Sequence, residues 1–97
     1  MTILNDDKDR KIAVALKYDE NERDAPYVIA KGKGIIADNI INKGNDEGIK
    51  IIEDQLLAHS LIKLEIAQEI PEELYFAVAE ILSFIYELDA EREDHGK

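Results

Sequence analysis

Length, composition and charge already exclude several classes of protein. The chain has 97 residues, no cysteine, 45% hydrophobic residues and a formal net charge of −10. A chain of this length supports one modest core and one domain, and its hydrophobic fraction is too high for disorder throughout. Without cysteine there is no disulfide framework, no thiolate nucleophile and no zinc–thiolate site.

The acidic surplus lies in the second half of the chain. Residues 1–50 carry ten acidic and nine basic side chains, whereas residues 51–97 carry twelve acidic and three basic ones. This pattern predicts a solvated helix face and an acidic tail or, alternatively, a docking surface for a basic partner. The negative field repels nucleic acid and anionic lipid, and no basic patch of useful size is evident. The apolar runs are too short for a membrane span or a secretion signal, so we expect neither nucleic acid binding nor membrane insertion.

The first predicted elements are a charged segment and two strands. Residues 1–10 are crowded with charge, which predicts a flexible N-terminal segment. Residues 11–18 follow a period of two, which predicts a strand. A polar loop over residues 19–25 leads through a proline to a second strand at residues 27–31. These two strands are expected to form a hairpin-like pair with a long solvated loop.

The remaining elements alternate between helix and strand. The spacing predicts a helix over residues 34–43 with Gly44 as its C-terminal cap, and then a strand over residues 49–53. The strand–helix–strand order predicts a parallel pair joined by a right-handed crossover. A helix over 55–67 follows, and Pro71 opens the last helix.

These elements predict an α/β fold class, with a small mixed sheet of three to four strands packed by about three helices. The expected domain covers residues 11–88. Residues 89–97 are expected to form an acidic flexible tail, or to be helical only where they continue the last helix.

No group of residues indicates catalysis or a metal site. His59 and His95 lie 36 residues apart without a metal-binding spacing, and we expect His59 on a helix surface. Neighbouring acids such as Glu72 and Glu73 are expected by chance among 22 carboxylates. The Gly-Lys-Gly at 32–34 fits neither the phosphate loop nor the dinucleotide fingerprint, so a tight turn is its expected role. We therefore expect no enzyme activity, no catalytic residue, no metal and no cofactor.

Several separated motifs between about residues 8 and 88 occur in the order found in one known family. They are AVALKYD at 13–19, AP at 25–26, VIAKG at 28–32, IED at 52–54, Leu57 with Ala58, IPEELY at 70–75 and AVAE at 77–80. In this respect the chain resembles the cytoplasmic C-terminal domain of the FlhB family. FlhB is the membrane component of the flagellar type III export apparatus that switches export specificity, and its relatives serve injectisome secretion.

The resemblance fails at the motif that cuts the family's chains. In that family an Asn-Pro-Thr-His motif precedes the first matching strand, and its asparagine cyclises onto its own carbonyl to cut the Asn–Pro bond. The corresponding positions here are Lys8, Asp9, Arg10 and Lys11. The attacking carboxamide and the proline are both absent, and Asn5 is followed by Asp6, so self-cleavage is not expected. The resemblance thus implies a stand-alone counterpart of the fragment left after cleavage, without the membrane part.

The function implied by the resemblance is a non-catalytic interaction module in flagellar or type III export. Its expected partners are export-apparatus proteins or substrates, including a truncated or full-length FlhB-type membrane protein. Its expected location is the cytoplasm, in association with the membrane export apparatus. The alternative is a small soluble adaptor that has kept the fold outside secretion. Candidate partner-binding residues are Pro26 and Tyr27 at the entry of the second strand, together with the degenerate loop at 8–11.

In the full-length family, a strand ahead of the cut pairs with this domain. Here only residues 2–4 remain to imitate it, so one hypothesis is an open sheet edge that accepts a partner's strand. The alternative is that residues 2–5 or 8–11 cover this edge.

Overall fold

Four strands and three helices make up the described part of the chain, which comprises residues 1–7, 9–19 and 21–95 of a computed structural model. Side chains are described as far as Phe84. In chain order the elements are β1 (Thr2–Asn5), β2 (Ile12–Lys17), β3 (Tyr27–Lys33), α1 (Ile35–Asp46), β4 (Ile51–Glu53), α2 (Gln55–Leu61) and α3 (Glu72–His95). The predicted α/β class with a small mixed sheet is confirmed.

The strands form one sheet with the order β3-β2-β1-β4. β1 is antiparallel to β2 and parallel to β4, with Thr2 paired to Ala15 on one side and to Ile51 on the other. All four residues of β1 are buried. The prediction of a flexible segment over residues 1–10 is therefore wrong for Thr2–Asn5, and the folded unit includes this strand rather than starting at residue 11. The strand has only four residues, two of them polar, and stands beside the charged residues 6–11, so no hydrophobic pattern indicates it.

The prediction that the strands before and after α1 are parallel is correct, but the prediction that they are adjacent in the sheet is wrong. β3 and β4 run the same way, yet they lie at opposite edges because β2 and β1 occupy the two positions between them. Of the two alternatives for the sheet edge, the one in which residues 2–5 cover it is confirmed, since these residues form β1.

Side chains alternate across the sheet and create two packed faces. On one face Ile3 and Val14 are fully buried and join the main core cluster with Leu61 of α2 and Val78 of α3. On the other face α1 packs against β2 and β3. Gly32 of β3 is required there, because a β-carbon at this position would collide with the side chain of Ile36. The sheet therefore lies between α1 on one side and α2 with α3 on the other.

The helix boundaries differ from the predicted ones at three places. α1 continues past Gly44 and ends before Gly48, whose φ of 71° is the left-handed conformation that glycine tolerates. α2 ends at Leu61 rather than near 67, because the chain turns to pair with β3: Val28 N–H donates to Gln68 O, and Ala67 N–H donates to Val28 O. α3 begins at Glu72, directly after the predicted first residue Pro71.

α3 also continues through His95, so the backbone of residues 89–95 follows the helical alternative. The flexibility of this segment stays a prediction, and residues 96 and 97 lie outside the described residues.

Substitution of two leucines on α2 tests how much the buried face of this helix stabilises the fold. Leu61 is fully buried in the main cluster, whereas Leu56 is 83% exposed. We expect Leu61→Ala to lower the free energy of unfolding by about 2–5 kcal/mol, because it removes buried methyl groups and leaves a cavity. Leu56→Ala makes the same chemical change and should alter it by less than about 0.5 kcal/mol. Urea denaturation monitored by circular dichroism measures both, and equal losses would contradict this packing.

Candidate functional site

An apolar groove lies at the end of the sheet where β1 begins and β2 ends. Its volume is about 440 Å³, and α3 contributes Leu82 to its wall. A smaller pocket of about 170 Å³ adjoins it and shares Tyr18, Pro26 and Leu82 with it. We call the two together the Pro26 groove. Its other lining residues are Met1, Thr2, Ala15, Leu16, Lys17, Ile29, Ile49, Lys50, Tyr75, Ala79 and Ser83.

Strand irregularity and helix periodicity shape this groove. The pairing of β2 with β3 shifts register between Ala15 and Leu16, and Ile29 opposite this shift remains 47% exposed. A bulge of this kind redirects a side chain, which accounts for a large apolar residue on the groove wall. Ala79, Leu82 and Ser83 are three and four residues apart on α3, so they share one helix face.

Pro26 lines both parts of the groove and is fixed by burial and by its backbone. Its side chain is fully buried, and its carbonyl oxygen accepts a hydrogen bond from Ile70 N–H at 2.9 Å. At the groove's other side, the Met1 amino group donates to Leu16 O at 3.1 Å, and burial lowers the pKa of this amine. The groove is thus a largely preformed apolar surface bordered by cationic groups, Lys17 and Lys50 among them.

Tyr27, the other predicted binding residue, lies outside the groove. Its hydroxyl donates to Glu22 Oε2 at 3.1 Å, and the Arg23 guanidinium lies 3.9 Å from the ring centroid. Arg23 also donates to Ala67 O at 2.6 Å, so this pair joins the loop before β3 to the turn after α2. The structure therefore brings only Pro26 of the two residues to the groove, and their roles in binding stay predictions.

The degenerate cleavage positions lie at the opposite end of β2. Lys8 is outside the described residues. Asp9 and Arg10 are exposed, and their backbone N–H groups donate to the Asp7 side chain and carbonyl oxygen, both at 3.1 Å. These two bonds form a tight turn between β1 and β2.

Lys11 fastens this loop to α1. Its Nζ donates to Asp38 Oδ1 at 2.7 Å and lies 3.4 Å from Asp6 Oδ1. The hydrogen bond to Asp38 is the main reason why the pKa of Lys11 is raised above its ordinary value, so the lysine stays charged throughout the neutral pH range. The pair is partly exposed to solvent, and it therefore restrains the loop more than it stabilises the whole fold.

A buried polar pair supports the same end of the sheet. Asn5 is 5% exposed, and its Nδ2 lies 3.1 Å from His59 Nε2 of α2. An amide nitrogen only donates, so the ring nitrogen is the acceptor. The same amide also lies 3.5 Å from Arg10 O. His59 lies on the surface helix α2 as expected, but it is half-buried and bonded to a residue 54 positions away, a contact that no local pattern indicates.

Two further observations concern metal-binding groups and membrane-spanning helices. Within the described ranges, no group of three or more His, Cys, Asp or Glu side chains is arranged to hold a metal ion. Over the same ranges, none of the helices has the length and hydropathy required to cross a membrane.

Asp38 provides a test of the loop anchor. We expect Asp38→Asn to release Lys11 and to raise amide hydrogen exchange in residues 6–11, while the free energy of unfolding falls by less than about 1 kcal/mol. Asp46→Asn, at the other end of α1 and outside the three ion pairs of the described residues, is the matched control and should leave exchange in that loop unchanged. Equal exchange in the two variants would show that the ion pair does not restrain the loop.

Comparison with known proteins gives a consistent result at the level of sequence. A family profile described as "FlhB HrpN YscU SpaS Family" matches residues 9–85. YlqH of Bacillus subtilis is 53% identical over 77 residues, which cover 79% of this chain and 83% of that protein. The flagellar biosynthetic protein FlhB of Escherichia coli is 44% identical over 77 residues, covering 78% of this chain but 20% of FlhB. The chain thus spans about a fifth of the FlhB proteins that it matches.

The solved structures agree with the sequence comparison. The crystal structure of the cytoplasmic domain of FlhB from Shewanella putrefaciens superposes with a TM-score of 0.80 at 34% sequence identity. The superposition covers 88% of this chain and 66% of that domain. The sheet and helices described above are therefore arranged as in that cytoplasmic domain.

Proposed function

The chain belongs to the FlhB HrpN YscU SpaS family, and we propose that it acts in flagellar or type III protein export as a docking module that binds export proteins without cutting itself. Its partners in this proposal are export components or substrates and an FlhB-type membrane protein, truncated or complete. Its place is the cytoplasmic side of the membrane export apparatus.

The observation that carries the proposal is the Pro26 groove. It is apolar and of a size that admits two or three side chains, and Pro26 on its wall is fixed by burial and by a backbone hydrogen bond. A preformed apolar surface binds a short apolar segment with little ordering cost on the receptor side. The bordering Lys50, which takes part in none of the ion pairs of the described residues, favours a segment that carries a carboxylate beside its apolar residues. An unfolded or partly folded export protein presents such segments.

The absence of self-cleavage is supported by the contacts of Asn5. Cyclisation requires the side-chain nitrogen of an asparagine to attack its own main-chain carbonyl carbon. The Nδ2 of Asn5 instead bonds to His59 across the interior, and the residue itself is paired in β1 opposite Ile12. Residues 9–11 supply neither asparagine nor proline. These contacts support the proposal that the chain is not cut between β1 and β2.

Export measurements test the docking role. In the native bacterium, a strain whose FlhB-type protein ends after its membrane part is expected to recover secretion of export substrates when the 97-residue chain is supplied. Secreted substrates are measured by quantitative immunoblotting of the medium. The proposal is overturned if export is not recovered and the chain forms no complex with any export protein. That result would favour an adaptor outside secretion.

Two variants on α3 test whether the groove is the docking surface. Ala79→Asp places a charge in the groove, whereas Phe76→Asp places one on an 80% exposed residue outside it. We expect Ala79→Asp to lower the recovered export by about tenfold or more, because a buried charge readily removes the ~1.4 kcal/mol that a tenfold loss of affinity requires. Phe76→Asp should retain export. Circular dichroism checks that both variants are folded. Equal export by the two would show that the groove is not the docking surface.

Intact mass spectrometry tests cleavage directly. After several days at 37 °C and neutral pH, we expect a single species of full mass, because the side chain of Asn5 is held by His59. His59→Ala removes this restraint and serves as the comparison variant. Fragments that end after Asn5, or at any bond within residues 8–11, would contradict the proposal of a non-cleaving module.

A further inference from the structure

Cationic side chains from three separate parts of the chain converge on a cleft at the end of β2 opposite the Pro26 groove. The cleft has a volume of about 500 Å³. Arg10 and Lys11 come from the loop after β1, Lys33 from the end of β3, and Lys63 from the turn after α2. Among the described residues on the lining, Asp9 is the only carboxylate. We call it the basic cleft. β2 spans five residue steps, so the two sites are about 17 Å apart.

Three of these four cations are not neutralised within the described part of the chain. The ion pairs found there involve Lys11 and Lys17, and none of them involves Arg10, Lys33 or Lys63. All three of these side chains are exposed. Lys11 is paired with Asp38 and also lies 3.4 Å from Asp6, so it contributes no free positive charge. The positive potential of the cleft therefore comes chiefly from Arg10, Lys33 and Lys63.

The start of α1 adds to this potential. Gly34, which lines the cleft, precedes the first residue of α1 and supplies no side-chain cap for the helix amides. The first amides of a helix carry partial positive charge when no side chain caps them. They supplement the three cations but would not define a binding site without them.

The size of the cleft and the charge of the whole chain restrict the ligand. With a net charge of −10, the protein repels long polyanions and anionic membranes at a distance. A short segment with a few carboxylates experiences mainly the local potential, because the Debye length at physiological salt is about 8 Å. Arg10 can hold a carboxylate through two parallel hydrogen bonds, and Ile62 on the lining offers contact for side-chain carbons.

We propose that the basic cleft binds a short acidic peptide segment of a partner protein, at a surface separate from the Pro26 groove. The proposal goes beyond the export function, because it is decided with purified protein and does not depend on any export phenotype. A partner that carries both an apolar segment and an acidic segment would engage both ends of the sheet, and its affinity would exceed that of either contact alone.

The first experiment measures binding of a defined probe. A fluorescein-labelled peptide with six alternating Glu and Asp residues is titrated with the full chain at 50 mM salt and followed by fluorescence anisotropy. We expect saturable binding that weakens at least fivefold at 200 mM salt, and no binding of the Gln and Asn analogue. The double variant Lys33→Gln with Lys63→Gln should weaken binding at least tenfold.

Two control variants make the assignment specific. Lys43→Gln removes an exposed lysine from the last turn of α1, outside the cleft lining, and should leave the affinity unchanged. Asp9→Asn removes the one carboxylate on the lining and should tighten binding about twofold to fivefold. Circular dichroism confirms that each variant is folded.

Nuclear magnetic resonance locates the bound peptide. On titration, the amide signals of Arg10, Lys33, Gly34 and Lys63 should shift, while those of Leu16 and Leu82 in the Pro26 groove should not. Shifts confined to the groove would overturn the assignment.

Other results would also refute the proposal. These are no saturable binding by the wild-type chain, or equal weakening by Lys43→Gln and by the double variant. Tighter binding to a single-stranded DNA oligomer or to phosphatidylglycerol vesicles than to the peptide would assign the cleft to another class of ligand. Self-association abolished by the double variant, without peptide binding, would assign it to a second copy of the chain.

Discussion

The pairing of β1 on both of its edges is the interaction on which the rest of the structure depends. A sheet in the order β3-β2-β1-β4 cannot remain continuous if β1 is removed, because β2 and β4 are both hydrogen-bonded to it. β4 has three residues and no other strand neighbour in the sheet, so it is too short to remain ordered alone. Ile3 contributes a fully buried side chain to the main cluster, which links the strand to α2 and α3.

This central strand also fixes the separation of the two candidate surfaces. The Pro26 groove includes Met1 and Thr2 at the start of β1, whereas the basic cleft is lined by the loop that follows the end of β1. β1 cannot slide along β2, because a slip of one residue would turn every side chain to the other face of the sheet. The positions of its two ends are therefore fixed relative to each other. The groove and the cleft are therefore held at a constant distance.

The sequence was a good guide where apolar periodicity is strong and local. The period of two over β2, the apolar run of β3 and the three-and-four spacing of α3 each predicted an element that the structure contains. Long-range competition accounts for the errors. β1 has only four residues beside a charged run, and α2 ends early because the following turn bonds to β3, a contact separated by about 40 residues.

The candidate sites divide in the same way. Pro26 was predicted as a binding residue from its position and lies in the groove, although its role in binding is still a prediction. The basic cleft was missed because its cations are dispersed among acidic neighbours, and only the meeting of the ends of β1, β3 and α2 brings them together. The pair of Asn5 with His59 is hidden for the same reason, since its members are 54 residues apart.

The loop between β1 and β2 lies where the resemblance places the family's cutting motif. Its continuity in this chain has a thermodynamic consequence. A strand held only by noncovalent contacts can dissociate and be exchanged, whereas a strand tethered by six residues returns at an effective concentration in the millimolar range or above. Lys11 shortens the free part of the tether further by binding Asp38. As long as the loop is uncut, β1 stays in place, and the groove and the cleft persist in one arrangement.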